Sequence, residues 1–120
     1  MQSLQSEWLG QPEEGQLSVD VFRDHDMLVI RCLVAGVAPD DLDVSISSDL
    51  LTIRGKREHE KQVASDDWFY KECFWGSFSR SIVLPCHVAA DSTEAQLKNG
   101  VLEIRLPIRT DGKQVKVKWG

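Results

Sequence analysis

The sequence contains no apolar stretch long enough to cross a membrane. A spanning helix needs about 20 consecutive apolar residues, and every apolar run in these 120 residues is far shorter. The first ten residues carry Glu7 and no Lys or Arg ahead of an apolar block, which argues against a secretory signal peptide. We therefore expect a cytoplasmic protein without a membrane partner.

Positive charge is also scarce. The chain has 14 Lys and Arg against 19 Asp and Glu, a formal net charge of -5. Nucleic-acid binding proteins gain most of their affinity from clustered cations that neutralise phosphates. This balance predicts that nucleic acid is not a partner.

Cysteine is present only as Cys32, Cys73 and Cys86, without a Cys-x-x-Cys pair. An odd, widely spaced set fits neither a disulfide framework nor a zinc site. The three histidines also stand far apart in sequence. We expect a reducing compartment, no metal, and cysteines that are buried apolar residues or inert surface thiols.

The motifs of common enzymes are missing as well. Gly55-Lys56 and Gly112-Lys113 lack the preceding glycine and the following Ser or Thr of a phosphate loop. No Gly-x-Ser-x-Gly nucleophile elbow occurs, and no carboxylate pair stands out for acid and base catalysis. The sequence predicts no catalytic residue and no cofactor.

What the sequence does contain is apolar residues that alternate with polar ones at a period of two. This pattern is typical of strands with one dry face and one wet face. It predicts seven strands at residues 17–22, 28–33, 42–46, 51–54, 78–84, 93–98 and 101–106. Short strands separated by frequent turns, with no long helix, predict an all-β protein, an antiparallel immunoglobulin-like β-sandwich.

The last predicted hairpin has the clearest turn. Its two strands flank Asn99-Gly100, and Asn99 is the chain's only asparagine. A two-residue hairpin turn of this kind needs positive φ at both positions, which Asn and Gly tolerate best.

Two features outside the regular pattern point to interactions. An aromatic group, Trp68-Phe69-Tyr70, follows a long, mostly polar stretch. This arrangement fits either a detached strand that pairs with a sheet edge or a segment that packs on its own domain. The tail reads Val115-Lys116-Val117-Lys118-Trp119, and its alternation fits either a groove or edge on another subunit or a final strand of the same sandwich. We divide the chain into an acidic arm (1–15), a domain (16–107) and a basic tail (108–120).

Four sequence blocks, taken together, resemble the small heat shock proteins, the family built on the alpha-crystallin domain. Residues 95–107 read AQLKNGVLEIRLP and look like the family's A-x-x-x-N-G-V-L-x-I-x-L-P signature. Residues 75–85 (WGSFSRSIVLP), 51–57 (LTIRGKR) and 33–37 (LVAGV, followed by DDL at 40–42) resemble three further family segments. The four occur in the family's order and spacing.

The resemblance implies an ATP-independent holdase, a chaperone that binds partly unfolded client proteins and prevents their aggregation under stress. It also implies a homodimer of the bacterial and plant type, in which a strand in a long loop crosses to the partner subunit. The exchanged strand would be Trp68, Phe69, Tyr70, Lys71 and Glu72. It would add to the partner's edge near Leu17, Val19 and Val21.

The family's tail motif implies a second contact, which joins dimers into higher oligomers. Val115 and Val117 occupy the place of that motif. The receiving groove would be lined by Leu42, Val44, Ile46, Ala95 and Leu97. Arg80 lies where the family keeps an arginine near the dimer interface, which implies a structural ion pair.

A second interpretation belongs to a different class of function. The chain also resembles a CS-type co-chaperone sandwich, a binding module that docks on a folded partner protein. The loop strand and the Asn-Gly-Val-Leu hairpin favour the holdase.

Overall fold

The computed structural model describes residues 15–59, 61–110 and 115–120, and only the backbone of residues 15 and 16. Those ranges contain eight strands, three single-turn 3-10 helices and no α-helix. The strands are β1 (Gly15–Gln16), β2 (Val19–Asp24), β3 (Met27–Leu33), β4 (Leu42–Ser47), β5 (Leu50–Arg57), β6 (Gly76–Val83), β7 (Glu94–Lys98) and β8 (Val101–Pro107). The 3-10 turns are Pro39–Asp41, Ser65–Asp67 and Ala90–Ser92.

The strands form two four-stranded sheets. One has the order β1-β6-β5-β4 and the other β2-β3-β8-β7. Neighbouring strands are antiparallel, except that β1 runs parallel to β6. The predicted all-β sandwich is confirmed. β1 is an addition that the sequence did not predict, because two residues are too few to display an alternation.

The core lies between the sheets and is made by the alternating apolar residues. Ile30, Ile53 and Ile104 have no exposed surface. Leu28 and Cys32 each expose 3%, so one face of β3 is buried as its period-two pattern predicts. No polar or charged side chain is buried among the described residues.

Val29 departs from the alternation. It points to the opposite face of β3 from Ile30, yet it too is fully buried. Its register partners are Phe22 on β2 and Arg105 on β8. These two large side chains flank Val29 on the outer face of the sheet. The alternation predicts that the outer face of β3 is exposed to solvent, but at Val29 both faces of the strand are buried.

Residues with positive φ shape the hairpin turns. Asn99 (φ 54°) and Gly100 (φ 78°) join β7 to β8, which confirms the predicted two-residue turn. His25 (φ 55°) and Ser48 (φ 59°) stand in the other two tight turns. A Cβ on Gly100 would also lie 3.2 Å from the backbone of Ala35, so this position needs glycine for space as well as for φ.

Strand boundaries differ from the predictions by up to three residues, the largest difference being at the end of β5. β2 begins at Val19, and Leu17 lies before it with 7% exposure, as part of the core. β6 begins at Gly76, two residues before the predicted start. The turn between β2 and β3 is shorter than predicted, because pairing continues to Asp24 with Met27.

No helix in the described part of the chain is long and apolar enough to cross a membrane.

Candidate interaction surfaces

The loop between β5 and β6 is closed at its base by aromatic rings. Strand pairing ends at Arg57 with Gly76. Beyond this pair the His59 and Trp75 rings stack, with centroids 4.5 Å apart and planes 28° apart. The Trp68 ring lies 6.2 Å from His59, and Lys71 Nζ sits 5.1 Å from the Trp68 centroid. These contacts fix the base of the loop.

The tip of the same loop presents two aromatic side chains to solvent. Phe69 is 94% exposed and Tyr70 is 84% exposed. In the single chain residues 68–72 form no strand, and Glu72 is exposed as well. Burying an aromatic side chain releases about 1.5–3 kcal/mol, so a surface that covered these two adjacent rings would gain stability.

β2 is the edge of its sheet and has no described strand on its outer side. Val21 and Phe22 are each 38% exposed on it, and Val19 packs partly against the core. An edge of this kind offers unpaired N–H and C=O groups to another strand. The structure therefore places the predicted acceptor residues Val19 and Val21 on a free edge.

A ladder of charges crosses the outer face beside this edge. Arg105 reaches Asp24 on β2 at 3.1 Å and Glu103 at 3.2 Å, while Arg31 reaches Glu103 at 2.9 Å. Hydrogen bonds from Arg31 and then Arg105 hold the pKa of Glu103 below its usual value. Those from His25 and then Arg105 lower the pKa of Asp24. Both acids stay ionised at neutral pH, and the ladder ties β2, β8 and β3 together.

Arg80 makes a hydrogen bond to the main chain. Its Nη1 donates to the carbonyl oxygen of Leu17 at 3.0 Å. Among the described residues Arg80 forms no ion pair, so within one chain it joins β6 to the segment before β2. The predicted ion pair stays a prediction for the dimer.

A groove separates β4 from β7, which are edge strands of the two sheets. It encloses a cavity of about 360 Å³. The cavity is lined by Val44, Ile46, Ala90, Asp91, Thr93 and Ala95. Three of the five predicted groove residues therefore line one cavity, and the other two, Leu42 and Leu97, pack partly buried against the core.

Thr93 supplies a polar atom that sequence reasoning missed. Its Oγ1 is buried and has no hydrogen-bond partner among the described residues. A buried hydroxyl without a partner costs free energy, and this one lines the groove. A strand lying in the groove would bring backbone N–H and C=O groups to it.

The described end of the tail, residues 115–120, is exposed. Val115 is 81% exposed, Val117 93% and Trp119 103%, and residues 115–120 contain no strand. The alternative in which the tail forms a final strand of the same sandwich is therefore wrong for this single chain. Near the start of the tail the Arg109 N–H donates to the His87 carbonyl at 2.8 Å, the last main-chain hydrogen bond seen in the described residues.

The three cysteines differ in burial. Cys32 is buried, and burial raises the pKa of its thiol to about 11, which suppresses thiolate chemistry. Cys86 is half-buried and Cys73 exposed. In the part of the chain that the structure describes, no three His, Cys, Asp or Glu side chains cluster as metal ligands would.

Two four-stranded, mainly antiparallel sheets with a long loop between β5 and β6 place the chain among the immunoglobulin-like β-sandwich proteins. The model of the Hsp20/alpha crystallin family matches residues 13–118. The chain belongs to this family, and the predicted resemblance is confirmed.

Individual proteins that are similar to this chain are also named as heat shock proteins. Small heat shock protein C4 of Rickettsia felis is 40% identical over 99 residues, which cover 82% of this chain and 61% of that protein. Heat shock protein 16.0 of Schizosaccharomyces pombe has a similar structure, with a TM-score of 0.75, 33% identity and coverage of 89% and 78% of the two chains. A small heat-shock protein from Xylella fastidiosa, described as having a distinct high order structure, gives a TM-score of 0.71 at 28% identity, covering 87% and 95%.

The chain is shorter than the curated relatives that it matches. It spans 61% of the Rickettsia felis C4 protein and 54% of the C2 protein of the same organism.

Proposed function

We propose that this chain acts as an ATP-independent holdase in the cytoplasm, binding partly unfolded proteins and keeping them from aggregating under stress. The observation that carries the proposal is that a member of the Hsp20/alpha crystallin family exposes large apolar side chains on its loop, its β2 edge and its tail. Unfolded chains present apolar segments and unpaired strands. Binding them shifts the folding equilibrium by mass action and needs no catalytic group.

The proposed working unit is a homodimer formed by reciprocal strand exchange. Residues 68–72 of each chain pair with the partner's β2, which brings Phe69 and Tyr70 out of water. Support comes from the exposure of both rings and from the free edge of β2. A reciprocal exchange is a closed, two-fold arrangement, so it stops at two chains.

Dimers are joined by the tail, which we place in the β4–β7 groove of a neighbouring subunit. Val115 and Val117 lie on one face of an extended tail and Lys116 on the other. The groove offers Val44 and Ile46 to the valines, and Asp91 at its rim attracts the basic tail. Each valine buries about one methylene less than an isoleucine would, roughly 0.8 kcal/mol, so the two valines hold the tail more weakly than two isoleucines would.

The holdase assignment predicts suppression of aggregation without nucleotide. The purified chain, mixed with a heat-labile test enzyme, is expected to reduce light scattering in proportion to its molar ratio. Added ATP should leave the curve unchanged, because no phosphate-binding loop is present in the sequence. Lysozyme at equal mass controls for crowding. Scattering that stays the same over a wide molar excess of the chain would refute the assignment and favour a CS-type module that docks on a folded partner.

The tail contact has its own test. Val115→Gly combined with Val117→Gly removes both apolar anchors and loosens the backbone, so species larger than the dimer should disappear from sedimentation velocity profiles while the dimer remains. Thr110→Gly is the matched control, since Thr110 is exposed and precedes the tail motif. Larger species that persist in the double variant would show that the tail is not the connector.

A further inference from the structure

The tail carries a third apolar side chain, which the tail contact proposed above does not use. Trp119 follows Val117 by two positions, as Val117 follows Val115. Residues two apart in an extended chain lie on the same face, so the three side chains form one apolar row, and Lys116 and Lys118 lie on the opposite face. Trp119 is 103% exposed in the single chain, and its large ring gains most from leaving water.

The two walls of the β4–β7 groove run in opposite directions. The turn after β7 lies close to Ala35, since a Cβ on Gly100 would be 3.2 Å from the Ala35 Cα. Arg57, at the end of β5, donates from Nε to the Ala35 carbonyl at 2.7 Å. Leu42, at the start of β4, pairs with Gly55 near this same end of β5. The start of β4 therefore lies at the same end of the groove as the end of β7.

This order gives the groove three successive rows of wall residues. The first row is Val44 with Ala95, and the second is Ile46 with Thr93. All four residues line the cavity. Asp91 precedes Thr93 by two positions and lines the cavity as well. Because β4 ends one residue after Ile46, the third row has a wall on the Asp91 side only and is open to a larger group.

The third row offers a polar partner to an indole. Asp91 is the one charged residue that lines the cavity, and in residues 15–59, 61–110 and 115–120 its carboxylate makes no ion pair. A buried indole needs an acceptor for its N–H group, which a carboxylate supplies. Ala90 beside it is small and apolar. At the opposite end of the groove the inward residues are Leu42 and Leu97, whose side chains offer no acceptor.

We propose that Trp119 is a third anchor of the tail, seated in the third row of a neighbouring subunit's groove. Val115 then lies at the first row and Val117 at the second, and the indole N–H of Trp119 donates to the Asp91 carboxylate. This direction of the tail, parallel to β4, is the one that brings the indole to an acceptor. The placement rests on the proposed tail contact and adds to it a residue outside the two-valine motif.

A double-mutant cycle between the tail and the groove tests the pair. Trp119→Phe keeps an apolar ring and removes the N–H donor, and Asp91→Ala removes the acceptor. Each change is expected to raise the dissociation constant of assemblies larger than the dimer by about 10-fold or more, as the loss of a hydrogen bond to a charged group does. The double variant should be no weaker than Asp91→Ala alone. Effects that multiply in the double variant would overturn the proposal.

Sedimentation velocity of the intact chain over a range of concentrations gives these constants. Glu94→Ala is the matched control, because it removes the same charge from an exposed residue of β7 that does not line the cavity. It should change the dissociation constant far less than Asp91→Ala does. A control that weakens assembly as much as Asp91→Ala would also overturn the proposal, since the net charge of this face would then account for the loss.

Crosslinking locates the side chain at position 119 directly. Trp119 is replaced with p-benzoylphenylalanine in the intact chain, and the irradiated products are mapped by mass spectrometry. We expect products with the mass of two chains that join position 119 to residues 90–93. Products at Leu42 or Leu97, products within one chain, or no products would each contradict the proposed seat. Lys118 replaced in the same way is the control, because its side chain lies on the other face of the tail and should give few products in the groove.

Two variants distinguish the third anchor from the tail contact on which it rests. If Val115→Gly with Val117→Gly disperses the larger species while Trp119→Phe assembles like wild type, the third anchor is wrong and the tail remains the connector. If the valine variant leaves the larger species in place, the tail contact itself fails, and the third anchor fails with it.

Discussion

Replacing Phe69 and Tyr70 together with serine is expected to convert the dimer into monomers. The proposed two-fold exchange buries these rings twice, once in each direction. At about 1.5–3 kcal/mol for each aromatic side chain, four rings contribute at least about 6 kcal/mol. Every 1.4 kcal/mol is a factor of ten in the dissociation constant, so the constant should rise by about 10⁴-fold or more.

This double variant should weaken dimer formation without destabilising the folded monomer. Because Phe69 is 94% exposed and Tyr70 is 84% exposed in the single chain, their removal costs the folded monomer almost nothing, and the thermal midpoint of the monomer should stay close to wild type. Val63→Ser is the matched control, an apolar loop residue that is 39% exposed and lies outside the exchanged segment. Sedimentation velocity over a range of concentrations measures the outcome. A double variant that still sediments as a dimer at micromolar concentration contradicts strand exchange.

Gly55→Val is expected to destabilise the fold by about 3 kcal/mol, at the upper end of the cost of overpacking a core. A Cβ at Gly55 would lie 2.4 Å from Phe78 Cζ and 2.9 Å from Leu42 Cδ2. The Phe78 ring is 3% exposed, so the added carbon meets a buried ring and not the end of a flexible surface side chain. The loss is large beside a typical domain stability of about 5–15 kcal/mol.

Urea unfolding followed by circular dichroism measures this loss. Gly55→Ala should cost less than Gly55→Val, because it adds one methyl group where valine adds three carbons. Lys56→Val, at the exposed neighbouring position, should change stability by no more than about 0.5 kcal/mol. Phe78→Leu removes the clashing ring edge, so in combination with Gly55→Ala it should cost less than the sum of the two single changes. Additive losses would show that the ring is not the obstacle.

Local chemistry made most of the sandwich predictable. Asn99-Gly100 fixes its turn through positive φ at both residues, and the alternation of Leu28, Ile30 and Cys32 sets the buried face of β3. The period-two pattern does not predict burial correctly where a side chain is covered by residues from distant parts of the chain. Val29 is dry because Phe22 and Arg105 flank it from two other strands, which no local pattern encodes.

The candidate surfaces, like the fold, were only partly predictable from the sequence. The family resemblance implied a groove lined by Val44 and Ile46, and both residues line one cavity in the structure. That this groove receives the tail stays a prediction. Thr93, the buried hydroxyl in that groove, could not be found from sequence, since threonine is ordinary at the start of a strand. The cavity of about 780 Å³ beside Leu33 and Arg57 could not be predicted either, because its walls come from five separate parts of the chain. The exchanged strand stays a prediction, since its order depends on a second chain.

The pairing of β3 with β8 has a consequence for how the chain reaches its native state. Arg31 and Glu103 meet across this ladder although they are 72 positions apart in sequence. Closing so long a loop costs conformational entropy before the contacts between β3 and β8 can stabilise the pair. During synthesis β3 can pair with β2 as soon as both strands have left the ribosome. Its other edge stays unpaired until β8 has been synthesised, although β3 is the most deeply buried of the described strands. Nascent chains should therefore expose Val29 and Ile30 for most of translation, and their yield should depend on elongation speed and temperature.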